Sequence, residues 1–562
     1  MRHTINGQSV ELEIGQSILD GVKLLELDSD SLGKRPLAAR VKGNVYSLNM
    51  QPHSPTDIKL LYYSDPDGQR TYERTLLLLL SIAVHRLFPE PTAHMRVRYA
   101  IGGGLYITLE KEPRLNEEDV LELEGEMRRL VRTAKPLKRQ RLTIDQANEV
   151  FEKIGQPDKI NLLKWRKFDY FDVYGVDGVM DYFYGEMMPD TSYADVFRLT
   201  YIADDAFVLL LPRRDAPDAV AEYRQSPKLA AVFAQSEEWG ELMECGTVYE
   251  LNGHIESGRI RELIRLNEAL HERSYAAIAD NVINKGARAI MVAGPSSSGK
   301  TTSAHRIATQ LHVLGYKPIL LSLDNYYRNR CDMIPDENGE YDLEEIDALD
   351  VARFNEDIEA LLSGKEVETP LFDFGTQRRA DKGKVIKLAK RQPMIIEGIH
   401  GLNPRMLGEG ISEDDVYRVY VSALTTLNLD DHNRISTTDI RLLRRLVRDY
   451  RTRGSSMERT LSMWASVRRG EGKWIFPFQE NADSFFNTTL VYEIAALKPY
   501  IYPLLKAVPE DSAYYSMANG MVKFLNYFLE LREQVDEIPP TSILREFIGG
   551  CTFYEDKPLP LS

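Results

Sequence analysis

The spacing of apolar residues divides this chain into two parts with different patterns. Up to about residue 240, short apolar runs alternate with turn residues and with a few amphipathic stretches. From Ala287 onward, apolar runs of strand length alternate with helical segments, which is typical of a parallel sheet covered by helices. We therefore predict an α/β unit in the second half, preceded by smaller units of mixed structure.

The first 62 residues have the pattern of a small α+β module. Asn6-Gly7 is a hairpin turn signal, and helical periodicity begins near Ile18 and ends near Leu25. Short apolar runs around them predict four strands, at His3–Ile5, Val10–Ile14, Leu37–Val41 and Ile58–Tyr63.

Residues 70–240 have the pattern of mixed helices and strands. Leu76–Phe88 is an apolar helix, Glu117–Ala134 is a charged amphipathic helix, and Phe207–Pro212 is a strand. Arg259–Lys285 has the periodicity of a long amphipathic helix that leads directly into the α/β unit. We interpret it as a connector.

Length and composition narrow the class of protein. At 562 residues the chain needs three or four domains, and its composition is that of an ordinary globular protein, with 43% hydrophobic residues. A net charge of −15 disfavours a protein whose main task is to coat nucleic acid. The three cysteines form no CxxC pair, which indicates a reducing compartment and no structural zinc. The start lacks a signal peptide, and the longest apolar run is too short to cross a bilayer, so we expect a cytoplasmic protein.

One motif carries specific chemistry. The apolar run Ala287–Ala293 is followed by the pattern G-x-x-x-x-G-K-S/T and then by helical periodicity, the strand–loop–helix setting of a phosphate-binding loop. Loop amides and the helix N-terminus bind phosphate oxygens, Lys300 reaches the β- and γ-phosphates, and the Thr301 hydroxyl holds Mg²⁺. The predicted ATP-binding residues are Gly294, Pro295, Ser296, Ser297, Ser298, Gly299, Lys300, Thr301 and Thr302.

The residues beyond this loop favour a kinase over a GTPase or a motor. Asp324 follows the next predicted strand, where a carboxylate can accept the proton of an attacking hydroxyl. Glu397 follows the strand Pro393–Ile396, where an acidic residue can orient Mg²⁺ through water. The helix Arg441–Arg453 carries six arginines; we interpret it as a lid over the transferring phosphoryl group rather than a solvated face or an RNA-binding patch.

These segments resemble the uridine kinase/phosphoribulokinase family of P-loop kinases. The matching stretches are GPSSSGKTT, LSLDNYYR, LEEIDALD, TPLFDFGTQRR, IIEGIHGL and RRLVRDYRTRG. The resemblance implies that Asp324 is the general base and that Tyr327 lies in the substrate pocket. It also places Arg445 at the ribose, and Arg448 and Arg453 at the triphosphate. Arg379, in the fourth stretch, is expected among the substrate residues.

This chain differs from that family at positions where uridine kinases contact the acceptor. Where uridine kinases carry an Asp that holds the ribose hydroxyls, this chain has Glu344. Their base-contacting Tyr and His correspond to Phe372 and Gln377, and two further polar residues near the base correspond to Ser455 and Met463. Since lost hydrogen-bonding groups change discrimination strongly, the resemblance implies kinase chemistry with a different base preference.

The first 240 residues resemble the N-terminal region of threonyl-tRNA synthetases. The start resembles the TGS module, a β-grasp fold, and HRLFPE and YFYGEMMPDTSYADVFRL resemble the editing domain. The metal-ligand positions of that domain correspond to Arg74, Leu78, Phe183 and Met187 here, so neither a bound metal nor synthetase-type editing is expected. A role in regulation, in RNA or nucleotide sensing, or in dimerisation is the expectation for this half.

The predicted architecture is a P-loop NTPase α/β domain with helices on both faces of its sheet, preceded by the β-grasp module and an α+β editing-like domain. The predicted boundaries are 1–62, 63–240, a helical connector 241–286, the kinase 287–500 and a helical extension 501–562. We expect ATP and Mg²⁺ as cofactors, a nucleoside as acceptor and no membrane partner. Nucleic acid is not expected as a partner, and the N-terminal half is the one part of the chain left open for it. A homo-oligomer remains open. The alternatives are a sugar or sugar-phosphate kinase and an RNA-associated regulator that uses the P-loop as a switch.

Overall fold

The structure is a computed structural model that describes residues 1–89, 93–166, 168–333, 342–373, 376 and 378–553. Three regions follow one another along the chain: a small sheet with one helix, a larger α+β region, and an α/β region whose sheet is parallel. Among the described residues, no helix combines the length and the apolarity needed to cross a membrane.

The first region is a five-stranded sheet in the order β2-β1-β5-β3-β4. Strands β1 and β5 are parallel, whereas the other neighbours are antiparallel. The predicted Asn6-Gly7 turn is confirmed, with both φ angles positive, at 49° and 80°. The elements are β1 (Arg2–Ile5), β2 (Gln8–Glu11), α1 (Ile18–Leu24), β3 (Ala38–Val41), β4 (Asn44–Tyr46) and β5 (Asp57–Leu61).

The second region contains two antiparallel sheets, in the orders β11-β12-β7-β6 and β10-β9-β8. Its first helix begins at Pro66, ten residues before the predicted Leu76, because Pro at N1 starts it and polar residues fill its first two turns. The elements are α2 (Pro66–Leu87), β6 (Ala93–Ile101), β7 (Gly104–Lys111), α3 (Glu117–Arg132), β8 (Lys138–Thr143), α4 (Ile144–Lys153), α5 (Pro157–Leu163), β9 (Tyr170–Val176), β10 (Val179–Asp181), β11 (Arg198–Ala203) and β12 (Ala206–Leu210).

The third region is built on a parallel sheet in the order β14-β19-β13-β20-β21, which confirms the predicted α/β class. The first strand of the region, β13, is central and wholly buried. The elements are α6 (Pro227–Leu242), α7 (Val248–Glu256), α8 (Ile260–Lys285), β13 (Ala289–Ala293), α9 (Lys300–Val313), β14 (Ile319–Ser322), α10 (Val351–Leu362), β15 (Glu366–Thr369), β16 (Phe372–Asp373), β17 (Arg378–Arg379), β18 (Lys384–Lys387), β19 (Met394–Glu397), β20 (Val416–Ser422), α11 (Thr437–Arg453), α12 (Met457–Trp474), β21 (Ser484–Asn487), α13 (Glu493–Lys506), α14 (Tyr515–Leu525) and α15 (Arg545–Ile548).

Helix α8 packs directly on the helix that follows the phosphate loop. Tyr275 of α8 hydrogen-bonds Ser303 of α9 at 2.9 Å between the hydroxyl oxygens, and Arg306 of α9 pairs with Glu272 of α8 at 2.7 Å. Both Tyr275 and Arg306 are almost wholly buried. The segment predicted as a connector thus contributes one side of the core of the α/β region.

A buried ionic cluster joins the second region to the third. Lys159 Nζ lies 2.8 Å from Asp430 and 3.2 Å from Asp158, and His432 pairs with Asp181 at 2.7 Å. Lys159, Asp181 and Asp430 are fully buried, so the loss of one partner would leave an uncompensated charge inside the protein. The segment that leads from β20 into α11 is therefore held by the N-terminal half.

Candidate active site

The phosphate loop connects β13 to α9 with the backbone that its sequence requires. Ser297 and Gly299 have positive φ angles, of 59° and 88°. A Cβ on Gly294 would lie 1.9 Å from the carbonyl oxygen of Val421, so only glycine fits there. Lys300 is the first residue of α9, and its Nζ donates to the Pro295 carbonyl at 3.1 Å. Thr301 and Thr302 follow in the first turn of the same helix, so both lie at its positive end.

Two carboxylates face the lysine from neighbouring strands. Ser322, at the end of β14, pairs in register with Glu397, at the end of β19, and the Ser322 hydroxyl donates to Glu397 Oε1 at 2.8 Å. Asp324 lies two residues beyond Ser322, on a short 3₁₀ turn. Burial raises the pKa of Glu397 to about 7, with a contribution from the charge of Asp324, while Lys300 opposes the shift.

Asp324 has the electrostatic surroundings of a catalytic carboxylate. Burial raises its pKa, and the positive charges of Lys300, Arg453 and Arg448 oppose that shift. The pKa of Lys300 is in turn lowered by burial, while Glu397 and Asp324 oppose the change. The structure thus brings together an acid, a lysine and two arginines that lie far apart in the sequence.

The arginine helix α11 contributes to the site in two ways. Arg441 and Arg444 are fully buried: Arg441 pairs with Glu471 and donates to the Ser296 carbonyl, and Arg444 pairs with Glu493. These two residues therefore support the phosphate loop from inside the protein, which a solvated face or an RNA-binding patch would not do. Arg448 and Arg453, by contrast, both pair with Asp449, at 2.8 and 3.5 Å, and are partly exposed.

The part of the site where the acceptor is expected contains an aromatic pair and, near it, Glu344 and Arg445. The Tyr327 and Phe372 ring centroids are 5.6 Å apart, and the Tyr327 hydroxyl donates to the Leu343 carbonyl at 2.9 Å. Burial raises the pKa of Glu344 to about 7, and the nearby positive charge of Arg445 opposes the shift. Arg445 also donates to the Ser296 hydroxyl at 2.8 Å, which links the acceptor side to the phosphate loop.

The remaining predicted substrate residues differ in their placement. The Arg379 guanidinium donates to the carbonyls of Tyr326 and Tyr327, both at 2.9 Å, and pairs with Asp350 at 3.1 Å. It therefore orients the backbone at Tyr327. Gln377 lies outside the described residues. Ser455 is buried just after α11, and Met463 is half-buried on α12.

Three acidic residues that sequence reasoning missed have central roles in this arrangement. Glu471 and Glu493 neutralise the buried arginines of α11, and Glu546 Oε2 accepts a hydrogen bond from the Thr302 hydroxyl at 2.6 Å. In the sequence, Glu546 belongs to the predicted helical extension 501–562 and follows Pro539 and Pro540, after which a solvated C-terminal tail would be the simplest interpretation. The apolar residues Ile543, Leu544, Phe547 and Ile548 around it were the available signal, since a solvated tail seldom carries four large apolar residues in six positions.

The donor groups at the loop fit Mg²⁺. The Thr301 hydroxyl at the start of α9 and the Glu397 carboxylate supply oxygen ligands, which is the ligand type that this ion prefers. Among the described residues, no group of three or more His, Cys, Asp and Glu side chains could hold a metal by itself. Mg²⁺ in kinases is bound by one or two carboxylates together with substrate phosphates, so a small protein donor set suits it.

In the second region, the four positions that correspond to synthetase metal ligands have other roles. Leu78, Phe183 and Met187 are buried in the hydrophobic core of that region. Arg74 donates to the Glu186 carbonyl at 2.6 Å and lines a cavity.

The family comparison concerns the α/β region. A sequence model described as "Phosphoribulokinase / Uridine kinase family" matches residues 289–495. Uridine kinases of Staphylococcus aureus strains JH9 and Newman are each 32% identical over 200 residues, which is 35% of this chain and 86% of theirs.

Solved structures give a weaker comparison. A Silicibacter protein described as a "putative fructose transport system kinase" has 18% identity and a TM-score of 0.28, over 38% of this chain and 98% of its own. A Bacillus stearothermophilus protein described as a "Possible Uridine Kinase" has 15% identity and a TM-score of 0.25, over 36% of this chain and 89% of its own. Both TM-scores are too low to support an argument about function.

Proposed function

This chain belongs to the phosphoribulokinase/uridine kinase family, and from that premise we propose that it transfers the γ-phosphoryl group of ATP to the 5′-hydroxyl of a ribonucleoside. Membership supports a P-loop ATP-dependent kinase. The acceptor is our proposal, and it rests mainly on one observation: the half-buried carboxyl of Glu344 lies near the guanidinium of the buried Arg445, which donates to Ser296 of the loop. A carboxyl and a guanidinium close to each other are suited to the vicinal hydroxyls of a ribose.

In the proposed reaction, Asp324 accepts the proton of the 5′-hydroxyl as its oxygen attacks the γ-phosphorus. The bond from that phosphorus to the β–γ bridging oxygen breaks, and ADP leaves with the electron pair. Lys300, Arg448 and Arg453 stabilise the charge on the transferred group, which is where kinases gain most of their rate. Mg²⁺, held by Thr301 and Glu397 and by the phosphates, would neutralise charge on the β- and γ-oxygens.

The residue environment supports these roles. A carboxylate whose pKa is raised by burial is a better proton acceptor than a solvated one, and Asp324 remains ionisable because three cations lie near it. The buried pairs Arg441–Glu471 and Arg444–Glu493 keep the loop carbonyls fixed, so that the loop amides are already oriented for phosphate. Arg379, which holds the backbone at Tyr327, is a positioning residue in this proposal.

Release of ADP, measured across nucleosides and sugar phosphates, tests the proposal. The acceptors are uridine, cytidine, adenosine, guanosine, inosine and ribulose 5-phosphate, with the Asp324→Asn variant as the control for background ATP hydrolysis. Turnover with at least one nucleoside, lost in the variant, is the expected result. Turnover with the sugar phosphate alone would support the sugar-phosphate alternative. ATP binding without transfer to any acceptor would support the nucleotide-switch alternative.

The remaining proposals concern the rest of the chain. We propose that residues 1–62 are a TGS-like module and residues 63–240 an editing-like domain, both related to threonyl-tRNA synthetases. The remaining proposed units are a helical connector at 241–286, the kinase domain at 287–500 and a helical extension at 501–562. The mixed sheet of the first region, with its helix packed on one face, supports the first of these. A cytoplasmic location belongs to the same set of proposals, as does any contact with nucleic acid through the N-terminal half.

A further inference from the structure

A cavity of about 450 Å³ lies outside the kinase site, where three parts of the chain meet. Its walls come from β4 in the first region, from α2, β8 and β9 in the second, and from α14 near the C-terminus. The volume lies in the range of small-molecule binding sites, roughly 300–1,000 Å³. None of the residues placed in the candidate active site lines it.

The charge of the cavity is opposite to that of the protein. Six cationic side chains line it against three acidic ones, Asp67, Asp172 and Glu186, although the whole chain has a net charge of −15. The cations are Arg70, Arg74, Arg139, Arg141, Arg166 and Lys523. In a protein with this overall charge, a concave surface with excess positive charge indicates an anionic ligand.

Two of the arginines are held by neutral groups. Arg74 donates to the Glu186 carbonyl at 2.6 Å, and Arg166 donates to the Tyr170 carbonyl at 2.6 Å and to the Tyr527 hydroxyl at 3.1 Å. Within the described part of the chain, neither is in an ion pair with a carboxylate. Burial lowers the pKa of Arg74, and the charge of Arg70 lowers it further, so a bound anion would relieve both effects.

Aromatic rings stand between these cations. The Arg141 guanidinium lies 3.8 Å from the centroid of the Tyr170 ring, and Tyr184 and Tyr527 meet edge to face, with centroids 6.0 Å apart. Phe168 is 45% exposed beside them. Guanidinium groups recognise phosphate oxygens through paired hydrogen bonds, and exposed aromatic faces stack on planar bases.

We propose that this cavity is a second binding site that takes a nucleotide, with its phosphates on the arginines and its base on the tyrosines and Phe168. A mononucleotide fits this cavity better than a nucleic-acid strand does, because the volume is that of one small molecule and the cations surround a single pocket rather than forming an extended stripe.

The position of Arg70 links this site to the kinase. Arg70 lines the cavity, and its Nη2 lies 2.6 Å from Asp439 in the first turn of α11. The same helix donates to the phosphate loop through Arg441 and Arg445, which bond the carbonyl and the hydroxyl of Ser296. A phosphate in the cavity competes with Asp439 for Arg70, so occupancy changes the support of the loop and with it the rate of transfer.

Calorimetric titration of the full chain with AMP, UMP, ATP and UTP tests the binding, and no turnover is needed for it. Arg139→Ala/Arg141→Ala removes two lining cations, and Lys138→Ala is the matched control, because Lys138 lies on the same exposed strand and does not line the cavity. We expect the affinity of one binding step to fall at least about tenfold in the double variant and to stay unchanged in Lys138→Ala. Each lost charge-assisted hydrogen bond is worth about a factor of ten in affinity.

Three results of the titration would overturn the proposal. The first is that the wild type and the double variant give identical isotherms with every nucleotide. The second is that Lys138→Ala loses as much nucleotide affinity as the double variant does. The third is that an eight-nucleotide single-stranded RNA binds whereas no mononucleotide does. The last would make the cavity an RNA site.

The proposed effect of the cavity on the rate of phosphoryl transfer is tested separately. Asp439→Asn leaves the cavity lining intact but weakens the contact with Arg70. We expect it to bind the nucleotide as tightly as the wild type does, or more tightly, while the nucleotide no longer changes the initial rate of ADP release. A rate response of wild-type size in Asp439→Asn would show that the Arg70–Asp439 pair does not carry the coupling.

Discussion

Glu546 Oε2 lies 2.6 Å from the Thr302 hydroxyl oxygen and 3.4 Å from the Thr302 backbone nitrogen, at the N-terminal end of α9. Amides at this end of a P-loop helix bind phosphate. The carboxylate is held there by its own segment: Arg451 donates to the carbonyls of Glu546 and Phe547, at 2.7 and 3.0 Å. A Cβ on Gly299 would lie 2.9 Å from Ile543, so this segment closes over the loop itself. A protein anion thus lies where the phosphates of ATP are expected.

In this position the negative charge of Glu546 opposes the binding of the ATP phosphates. We therefore expect Glu546→Gln, which removes that charge, to lower the KM for ATP about fivefold, since the interaction of one charge with a helix N-terminus is worth about 1 kcal/mol. The turnover number at saturating ATP should change little. Steady-state kinetics with varied ATP is the measurement, and Glu530→Gln is the matched control, since Glu530 lies in the same C-terminal segment and pairs with Arg532. A raised KM in Glu546→Gln would show instead that the carboxylate assists nucleotide binding.

Lys300→Ala should reduce phosphoryl transfer at least about a hundredfold, the usual scale for the loss of one group that stabilises developing charge. The fold should remain, because Lys300 bonds only a loop carbonyl and belongs to no buried ion pair among the described residues. Turnover and thermal unfolding of the purified variant are the measurements, with the exposed Lys317→Ala as control. Near-wild-type turnover would remove this loop from the proposed mechanism.

Asp324→Asn should lower the turnover number by roughly a hundredfold or more, which is typical for the loss of a general base. The affinity for ATP should change little, since the proposed partner of Asp324 is the acceptor hydroxyl. Turnover and ATP binding are measured on the same preparation. A variant that loses ATP binding while its remaining transfer rate is normal would assign Asp324 to the nucleotide or the metal.

The pH dependence of acceptor use should reflect Glu344. Burial raises its pKa to about 7, so its carboxyl is mostly protonated below that pH and ionised above it. The ionised form accepts hydrogen bonds from the ribose hydroxyls more strongly than the neutral carboxyl does. We expect kcat/KM for a ribonucleoside to rise as the pH passes about 7. Because the pKa of Glu397 is also about 7, Glu344→Gln should reduce this limb without abolishing it. A 2′-deoxynucleoside should be used less well and should show a weaker pH effect. An unchanged profile in Glu344→Gln would exclude this role.

Base selectivity should be looser than strict use of uridine and cytidine. Phe372 carries no hydroxyl, and Met463, which corresponds to a polar residue near the base in uridine kinases, carries no hydrogen-bond donor. We therefore expect stacking and shape to decide the choice of base more than fixed polar contacts do. Steady-state kinetics across five ribonucleosides is the measurement. Sharp selection for uridine alone would mean that other groups supply the missing contacts.

Local sequence signals were sufficient for the phosphate loop and for the strands that lead to Asp324 and Glu397. The phosphate loop depends on glycines and on a strand–loop–helix order that are contiguous in the chain, so it could be identified directly. Asp324 and Glu397 follow apolar strands, and the carboxyl ends of parallel strands meet at one edge of a sheet, so their convergence could also be predicted.

Only the tertiary structure decided which distant groups complete the site. Glu471 and Glu493 lie 30 and 49 residues from the arginines that they neutralise, and Glu546 lies 244 residues from Thr302. The cavity likewise needs Arg74 from α2, Arg141 from β8 and α14 near the C-terminus, which come together only in the folded chain. The physical reason is that apolar periodicity and turn chemistry act over a few residues, whereas the pairing of buried charges depends on how whole elements pack against one another.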